Sequence, residues 1–216
     1  DKKDLMIESI SAYLIDSKNK WDFADFEFLL ENSIVSQCFK ADSKIHTNLS
    51  QYGNRFYIPE MKNFDDFQNQ MGNRWSKMYS KKYRKLKSQG EANIVYPKDI
   101  ESTKSAFHQL AKMHGERWES RTEINIFKSK LFNQFHTKIL ERLVPQDKAF
   151  IKTLSLDDKP LSSYYCFKDK SQIHYYQSGF YTEDANKYSP LFLLVCTEIG
   201  DAINKEHLFD FMFDEN

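Results

Sequence analysis

The chain has 216 residues, 40% of them hydrophobic and 15% aromatic, which is enough for one large domain or two small lobes with an ample core. Its 31 lysine and arginine residues balance 31 aspartate and glutamate residues, which argues against a general nucleic-acid-binding protein but allows a local basic patch. With only 6 glycines and 5 prolines, the composition also excludes the disordered and fibrous classes.

The cysteines are Cys38, Cys166 and Cys196, an odd number at wide spacing, and they predict neither a disulfide framework nor a zinc site. We therefore expect a reducing compartment, the cytoplasm, and no metal. No apolar run approaches the roughly 20 residues that span a bilayer. Because the chain begins with Asp1 rather than methionine, we expect it to be a fragment or a processed product.

The first sixty residues predict helix, strand, helix and hairpin. Apolar residues at helical spacing predict a helix over 4–17, and an aromatic-rich segment predicts a strand over 21–30. A short helix is expected over 33–41. A hairpin over 45–59 turns at Tyr52-Gly53-Asn54 and returns along Arg55–Ile58.

Two helices are predicted over 63–72 and 74–89, with Gly90 as a stop signal. The second has a stripe of apolar residues and is otherwise densely cationic, with no acidic residue from Arg74 to Gly90. Its cations are Arg74, Lys77, Lys81, Lys82, Arg84, Lys85 and Lys87. They form either the solvated face of a linker helix or a binding surface for a phosphate-rich partner such as CoA, RNA or an anionic membrane.

A strand is predicted over 92–96, followed by a helix that Asp99 can cap and by another helix over 126–143. His114 and His136 each lie on the apolar face of one of these helices, so we interpret both as buried core histidines rather than catalytic bases.

The last third predicts strands over 150–156, 161–167, 173–180 and 207–212, a loop over 181–188 and an apolar helix over 190–204. Ser189 is the expected N-cap of that helix, and Pro190 suits its first position. The free N–H groups of the first turn form either an ordinary helix start or an anion site for a pyrophosphate. The strands and this helix predict a mixed α/β sheet flanked by helices.

Several of these motifs together resemble a known family. They are YYQSGF (Tyr175–Phe180), YSP (Tyr188–Pro190), the helix that follows and FDF (Phe209–Phe211). Upstream, FHQLAKMHGERW, FNQFHTKILERL and SKKYRKLKSQGEANIVY fit the same pattern. The sequence resembles the GNAT-type acetyltransferase domain of the cellulose-biosynthesis (BioF2-like) group, which is similar in fold to Fem-type aminoacyltransferases.

This resemblance implies a GNAT-like fold in tandem lobes with the first one truncated. Residues 1–60 would be a partial N-terminal lobe, 61–90 a basic helical linker and 91–216 the C-terminal lobe. The implied activity is transfer of an acyl group from acyl-CoA to an amine or hydroxyl acceptor in cell-surface polysaccharide biosynthesis. The alternatives are a Fem-type transferase that uses aminoacyl-tRNA and a catalytically inactive interaction module.

The acyltransferase reading also assigns site residues. The proton acceptor is expected to be His174, with Glu215 as second choice, and Tyr176 is expected near the reacting atoms. Strand alternation places His174, Tyr176 and Ser178 on one face. Acceptor-binding candidates are Arg117, Trp118 and Gln177. Donor-binding candidates are Tyr188, Ser189, Leu191 and Phe192.

Two departures from the family pattern bear on the donor. Leu191 stands where the family usually has glycine, and no glycine follows FDF. We therefore expect weak acyl-CoA binding. Motifs typical of nucleotide triphosphatases, Rossmann enzymes, serine hydrolases and zinc proteases are absent from the sequence.

Overall fold

The structure is a computed structural model that describes residues 2–17, 20–22, 25–26, 29, 33–40, 48, 54–119 and 125–214. The chain divides into two compact units, one of residues 1–54 with 213–216 and the other of residues 55–212. The division into residues 1–60, 61–90 and 91–216 stays a prediction.

The first unit contains helices α1 (Lys2–Asp16) and α2 (Ile34–Lys40), which pack against each other. Buried Cys38 joins them, since its thiol lies 3.1 Å from the Ile34 carbonyl oxygen and 3.6 Å from that of Ile7. Both helices were predicted. The described residues of 21–30 form no strand, so that prediction is wrong for them, and the first arm of the predicted hairpin falls outside the described residues except Asn48.

The second unit is built on one mixed sheet. Its strands are β1 (Asn54–Ile58), β2 (Ala92–Val95), β3 (Ala149–Leu156), β4 (Lys159–Lys168), β5 (Gln172–Phe180) and β6 (Leu208–Asp214). They lie in the order β1-β6-β5-β4-β3-β2. The pairs from β2 to β5 are antiparallel and β5–β6 is parallel, which confirms the predicted mixed sheet with β6 beside β5.

Turn chemistry explains the antiparallel pairs. Asp157 and Asp158 both have positive φ (47° and 65°), as the two central residues of a tight type I′ hairpin require, and they connect β3 to β4. The Asp169 carboxylate accepts hydrogen bonds from the backbone N–H groups of Ser171 and Gln172, which closes the turn from β4 to β5.

Six α-helices accompany the sheet among the described residues of this unit. They are α3 (Phe64–Met71), α4 (Asn73–Lys87), α5 (Ile100–Glu119), α6 (Lys130–Leu143), α7 (Thr182–Tyr188) and α8 (Pro190–Asn204). Asp99 caps α5 as predicted, because its carboxylate accepts a hydrogen bond from the Ser102 N–H at 2.8 Å. The predicted helix over 126–143 is a short 3₁₀ turn, Ile126–Lys128, followed by α6, which Ser129 caps.

The sheet separates two hydrophobic clusters. On one face, residues of α3, α4 and α8 pack on β3, β4 and β5, with Leu161, Leu194 and Phe209 at the centre. On the other face, α5 and α6 cover the sheet around Leu110 and Leu140. His114 and His136 are both buried on this second face, as predicted.

The segment between β5 and α8 differs from expectation. The predicted loop over 181–188 is α7, and Ser189 is not an extended N-cap. Ser189 adopts the left-handed conformation (φ 52°) because α7 ends directly before α8 begins, and its side chain makes no capping hydrogen bond. Pro190 does occupy the first turn of α8, as predicted. Among the described residues, no helix is long and apolar enough to cross a membrane.

Candidate active site

The candidate site lies where β5 and β6 run side by side. The two parallel strands pair at three positions only, Gln172 with Leu208, Ile173 with Phe209 and His174 with Asp210. Past this point β6 bends, because Met212 has positive φ (63°) and its N–H donates to the Asp210 carboxylate at 2.8 Å. The strands are therefore paired at one end and unpaired with each other beyond His174 and Asp210, and we call this unpaired region the slot.

A β-bulge in β5 borders this slot. Gln177 pairs with Tyr165 and Tyr175 pairs with Cys166, so Tyr176 is the extra residue. The bulge reverses the strand alternation, and a Cβ added to Gly179 would lie 2.8 Å from the Leu110 carbonyl oxygen of α5. The predicted grouping of Ser178 with Tyr176 is therefore wrong. Only a glycine lets β5 approach α5 this closely.

His174 lies at the closed end of the slot. Its Nδ1 is 2.8 Å from Asp210 Oδ2, and its Nε2 is 3.3 Å from Asp169 Oδ2. Asp169 is exposed, while Asp210 is almost fully buried. Because carboxylate oxygens only accept, Nδ1–H donates to Asp210 and Nε2 must carry a proton to bond Asp169; Nε2 can accept a proton only in a neutral ring that has left Asp169.

Asp210 is the centre of this cluster. It forms an ion pair with Arg55 of β1, and it also accepts from His174 and from the Met212 N–H. Burial alone would raise the pKa of Asp210, but the hydrogen bonds from Arg55, His174 and Met212 outweigh burial and hold that pKa below its usual value. Asp210 is therefore an ionised anchor that ties β1, β5 and the bend of β6 together.

Tyr176 turns toward α6. Its hydroxyl is 3.1 Å from His136 Nε2. Burial lowers the pKa of His136 to about 4, so this ring is neutral at neutral pH and can accept the Tyr176 proton. Burial also raises the pKa of Tyr176, which keeps its hydroxyl protonated. Tyr176 is thus protonated at neutral pH, and its hydroxyl can donate a hydrogen bond but cannot act as a base.

The predicted donor residues lie together at the α7–α8 junction. Tyr188 is buried, and Phe192 packs against Trp75 and Tyr79 of α4 at ring-centroid distances of 5.6 and 6.3 Å. These side chains belong to the core, so only the backbone N–H groups of the first turn are left to meet an anion. Leu191, also in this turn, is half-buried.

The remaining predicted residues are spread out. Gln177 follows the bulge and is half-buried. Arg117 and Trp118 belong to the last turn of α5, the helix that packs on the same face of the sheet as α6. Glu215 falls outside the described residues. The described residues also hold no group of three or more His, Cys, Asp or Glu side chains placed to bind a metal ion.

Three residues of this site escaped the sequence analysis. Asp210 was visible only as the middle of FDF, Arg55 only as part of a return strand, and Asp169 only as a turn residue. Arg55 and Asp210 are 155 positions apart, and no periodic pattern connects them. A charged residue between two phenylalanines of a predicted strand was the one available signal for Asp210.

A mixed sheet whose parallel strands β5 and β6 separate beyond a bulge in β5, with α8 connecting the two strands, is typical of the GNAT-like fold. Residues 73–216 match the family model described as an acetyltransferase (GNAT) domain, and the chain belongs to that family. The family makes this chain an acyltransferase in general terms.

Solved structures with the same fold include FemX, at 16% identity and a TM-score of 0.52, covering 97% of this chain and 69% of FemX. A conserved protein of unknown function from Bacteroides thetaiotaomicron VPI-5482 matches at 9% identity and a TM-score of 0.52, covering 97% of this chain and 67% of that one. No curated protein matches the sequence. At these identities the similarity concerns the fold alone.

Proposed function

We propose that the chain transfers an acyl group from acyl-CoA to an amine or hydroxyl acceptor, on a precursor of a cell-surface polysaccharide. The observation that carries this proposal is the slot between β5 and β6, which opens directly after the His174–Asp210 pair and beside the Tyr176 bulge. Beyond that pair β5 is no longer paired with β6, so an extended thioester arm would run along the edge of β5 that faces β6.

The donor's pyrophosphate would lie at the first turn of α8, where backbone N–H groups and the helix dipole favour an anion. A cation supports this location, because Lys82 Nζ is held 3.0 Å from the carbonyl oxygen of Asn186, just before Ser189. Tyr188, Ser189, Leu191 and Phe192 would contribute backbone and shape rather than charge.

In the proposed reaction, the acceptor nitrogen or oxygen attacks the thioester carbon, the C–S bond breaks and the acceptor loses a proton. His174 would take that proton at Nε2, with Glu215 as the alternative base. The Tyr176 hydroxyl, which is protonated at neutral pH, would give its proton to the departing thiolate, and the proton taken up by His174 would then return to the Tyr176 oxygen, which restores both groups. Arg117, Trp118 and Gln177 are proposed to bind the acceptor.

Two alternative functions remain. A Fem-type transferase that uses aminoacyl-tRNA is favoured by the fold shared with FemX and by the cationic helix α4. An inactive interaction module is favoured by Leu191, whose side chain fills the place where a glycine would let a pyrophosphate approach the backbone.

Isothermal titration with acetyl-CoA tests the donor. We expect weak binding by the natural chain and at least about tenfold tighter binding by Leu191→Gly, because removal of the side chain opens the first turn of α8. Leu191→Ala is the matched control, since it shortens the side chain but keeps a Cβ. If none of the three binds acetyl-CoA, the acyl-CoA proposal is wrong, and binding of aminoacyl-tRNA then separates the two alternatives.

A further inference from the structure

The cations of α4 are segregated on one side of the helix. At 100° per residue, Lys77, Lys81 and Arg84 fall within about 60° of one another, opposite the buried stripe of Trp75 and Leu86. Arg74, Lys85 and Lys87 flank them, and all six side chains are exposed. We call these six residues the α4 basic face. Ser76 and Ser80 share a shallow groove with Lys77, Lys81 and Arg84.

Among the residues that the structure describes, none of these six cations forms an ion pair. Arg84 donates only to the Ser80 carbonyl of its own helix, and Lys87 lies over the Tyr83 ring. The seventh cation, Lys82, is different, because it points to the α7 carbonyl oxygens of Asn186 and Lys187. Unpaired like charges along one helix repel one another, so the α4 basic face costs stability that an anionic partner would restore.

The α4 basic face cannot serve the donor slot. The side of α4 that meets α8 is its buried stripe, where Trp75 and Tyr79 touch Phe192. Lys77, Lys81 and Arg84 point the opposite way, so a donor bound at the first turn of α8 does not reach them. The surface therefore needs a partner of its own.

We propose that the α4 basic face binds the surface of an anionic membrane. The cations spread over a broad sector along a helix about 22 Å long, which matches a plane of headgroups. Met71, the last residue of α3, lies just before α4, and Met78 lies on α4 itself. They are 47% and 44% exposed and can contact the apolar layer. This interaction is separate from the proposed acyl transfer and does not depend on it.

Nucleic acid fits this surface less well. Single strands are bound by aromatic side chains on which bases stack, and the six residues of the α4 basic face include no aromatic ring. Tyr83, 40% exposed beside this face, is already stacked on Tyr79, and the Lys87 ammonium lies 5.0 Å from its ring centroid. Outside α4 the chain has 24 basic against 31 acidic residues, a net charge of −7. A long polyanion that extends beyond α4 meets this negative surface, whereas a membrane can touch α4 alone.

Co-sedimentation with vesicles tests the proposal. At low salt we expect binding to phosphatidylcholine vesicles that contain 30% phosphatidylglycerol, and none to pure phosphatidylcholine. Because each surface cation contributes about 1 kcal/mol, the triple variant Lys77→Glu, Lys81→Glu and Arg84→Glu should bind at least about 30-fold more weakly. A triple glutamine variant should bind more weakly by a smaller factor, which keeps the test valid if the glutamates impair folding.

The matched control places the same charge change on the opposite face of the sheet, as Lys112→Glu, Lys130→Glu and Lys138→Glu, and should retain binding within about threefold. Equal loss in this control would show that net charge rather than the α4 basic face drives binding, and the proposal would be overturned. It would also be overturned if the natural chain ignored the anionic vesicles, or bound a 20-nucleotide single-stranded RNA more tightly than those vesicles through the same three residues.

Discussion

At the scale of single residues, Asp210 connects the groups around the slot through several hydrogen bonds and an ion pair. Its buried carboxylate accepts from Arg55, from His174 and from the backbone of Met212. Because the Met212 N–H is part of this set, the same carboxylate that orients His174 also holds the bend of β6. Loss of its charge should therefore affect both the imidazole and the shape of the slot.

We expect Asp210→Asn to lower the free energy of unfolding by about 2–3 kcal/mol at pH 7, because Arg55 loses its carboxylate partner. Asp169→Asn is the control, since this side chain is exposed and an asparagine oxygen can still close the turn; its cost should stay within about 0.5 kcal/mol. Urea denaturation measures both. A larger loss in Asp169→Asn than in Asp210→Asn would contradict this account of the cluster.

The pH dependence follows from the lowered pKa of Asp210. A carboxyl group whose pKa is lower in the folded than in the unfolded chain stabilises the fold above its unfolded pKa, about 3.9, and loses that contribution as the pH falls through its folded pKa. Between pH 7 and pH 3, the natural chain should therefore lose more stability than Asp210→Asn does. Identical pH profiles of the two would show that Asp210 is not perturbed.

Residue-scale prediction from the sequence succeeded for local features and failed for distant ones. His174, Tyr176 and Gln177 lie within four consecutive residues, and β periodicity was enough to place them on one strand. The reversal of side-chain direction beyond Tyr176 could not be foreseen, because a bulge depends on the register with Tyr165 of the neighbouring strand. The contact of Arg55 with Asp210 depends on the order of strands in the sheet.

At the scale of elements, α8 is fastened to the sheet by buried charges as well as by apolar packing. Lys152 of β3 lies 2.5 Å from Glu198 and 2.9 Å from Asp201, both on α8, and the Tyr164 hydroxyl of β4 donates to Glu198. Burial alone would lower the pKa of Lys152, but the two carboxylates outweigh burial and raise it. The helix that carries the proposed donor site is thereby fixed in register against two strands.

Removal of one charge from this group should cost far more than removal of the pair. We expect Lys152→Met to lower the free energy of unfolding by about 3–5 kcal/mol, because Glu198 is left buried without its cation. The double variant Lys152→Met and Glu198→Met should be clearly more stable than Lys152→Met alone, since no uncompensated buried charge remains. If Lys152→Met and the double variant lost equal stability in thermal or urea unfolding, Glu198 would have to reach solvent in the single variant.

Most elements were predictable from the sequence because their apolar spacing is regular, as in α4, α5, α6 and β3 to β6. The segment before α8 was not. Thr182, Glu183 and Asp184 open a short helix, but the Ser-Pro pair that follows suggested a loop ending in an N-cap. Tyr188, the last residue of α7, is buried in the core, and this burial favours a helix over a loop at this position. The burial of one side chain is a tertiary effect that local sequence patterns do not show.

At the scale of the whole molecule, charge is distributed unevenly although the total is zero. The helix α4 carries seven cations and no acid, and the rest of the chain carries the compensating negative charge. Such a molecule has a strong electrostatic asymmetry, which would orient it as it approaches a charged surface. This asymmetry was readable from the sequence, whereas the direction of the α4 basic face, away from α8, required the structure.

The two clusters on opposite faces of the sheet have a thermodynamic consequence. Side chains in separate layers share no packing partners, so their contributions to folding should be additive. We expect Leu140→Val and Ile199→Val to cost about 1 kcal/mol each and their combination to cost the sum within about 0.5 kcal/mol. A larger coupling energy in this double-mutant cycle would reveal that the sheet transmits strain, so that an event on the α6 side could alter the donor side without any direct contact.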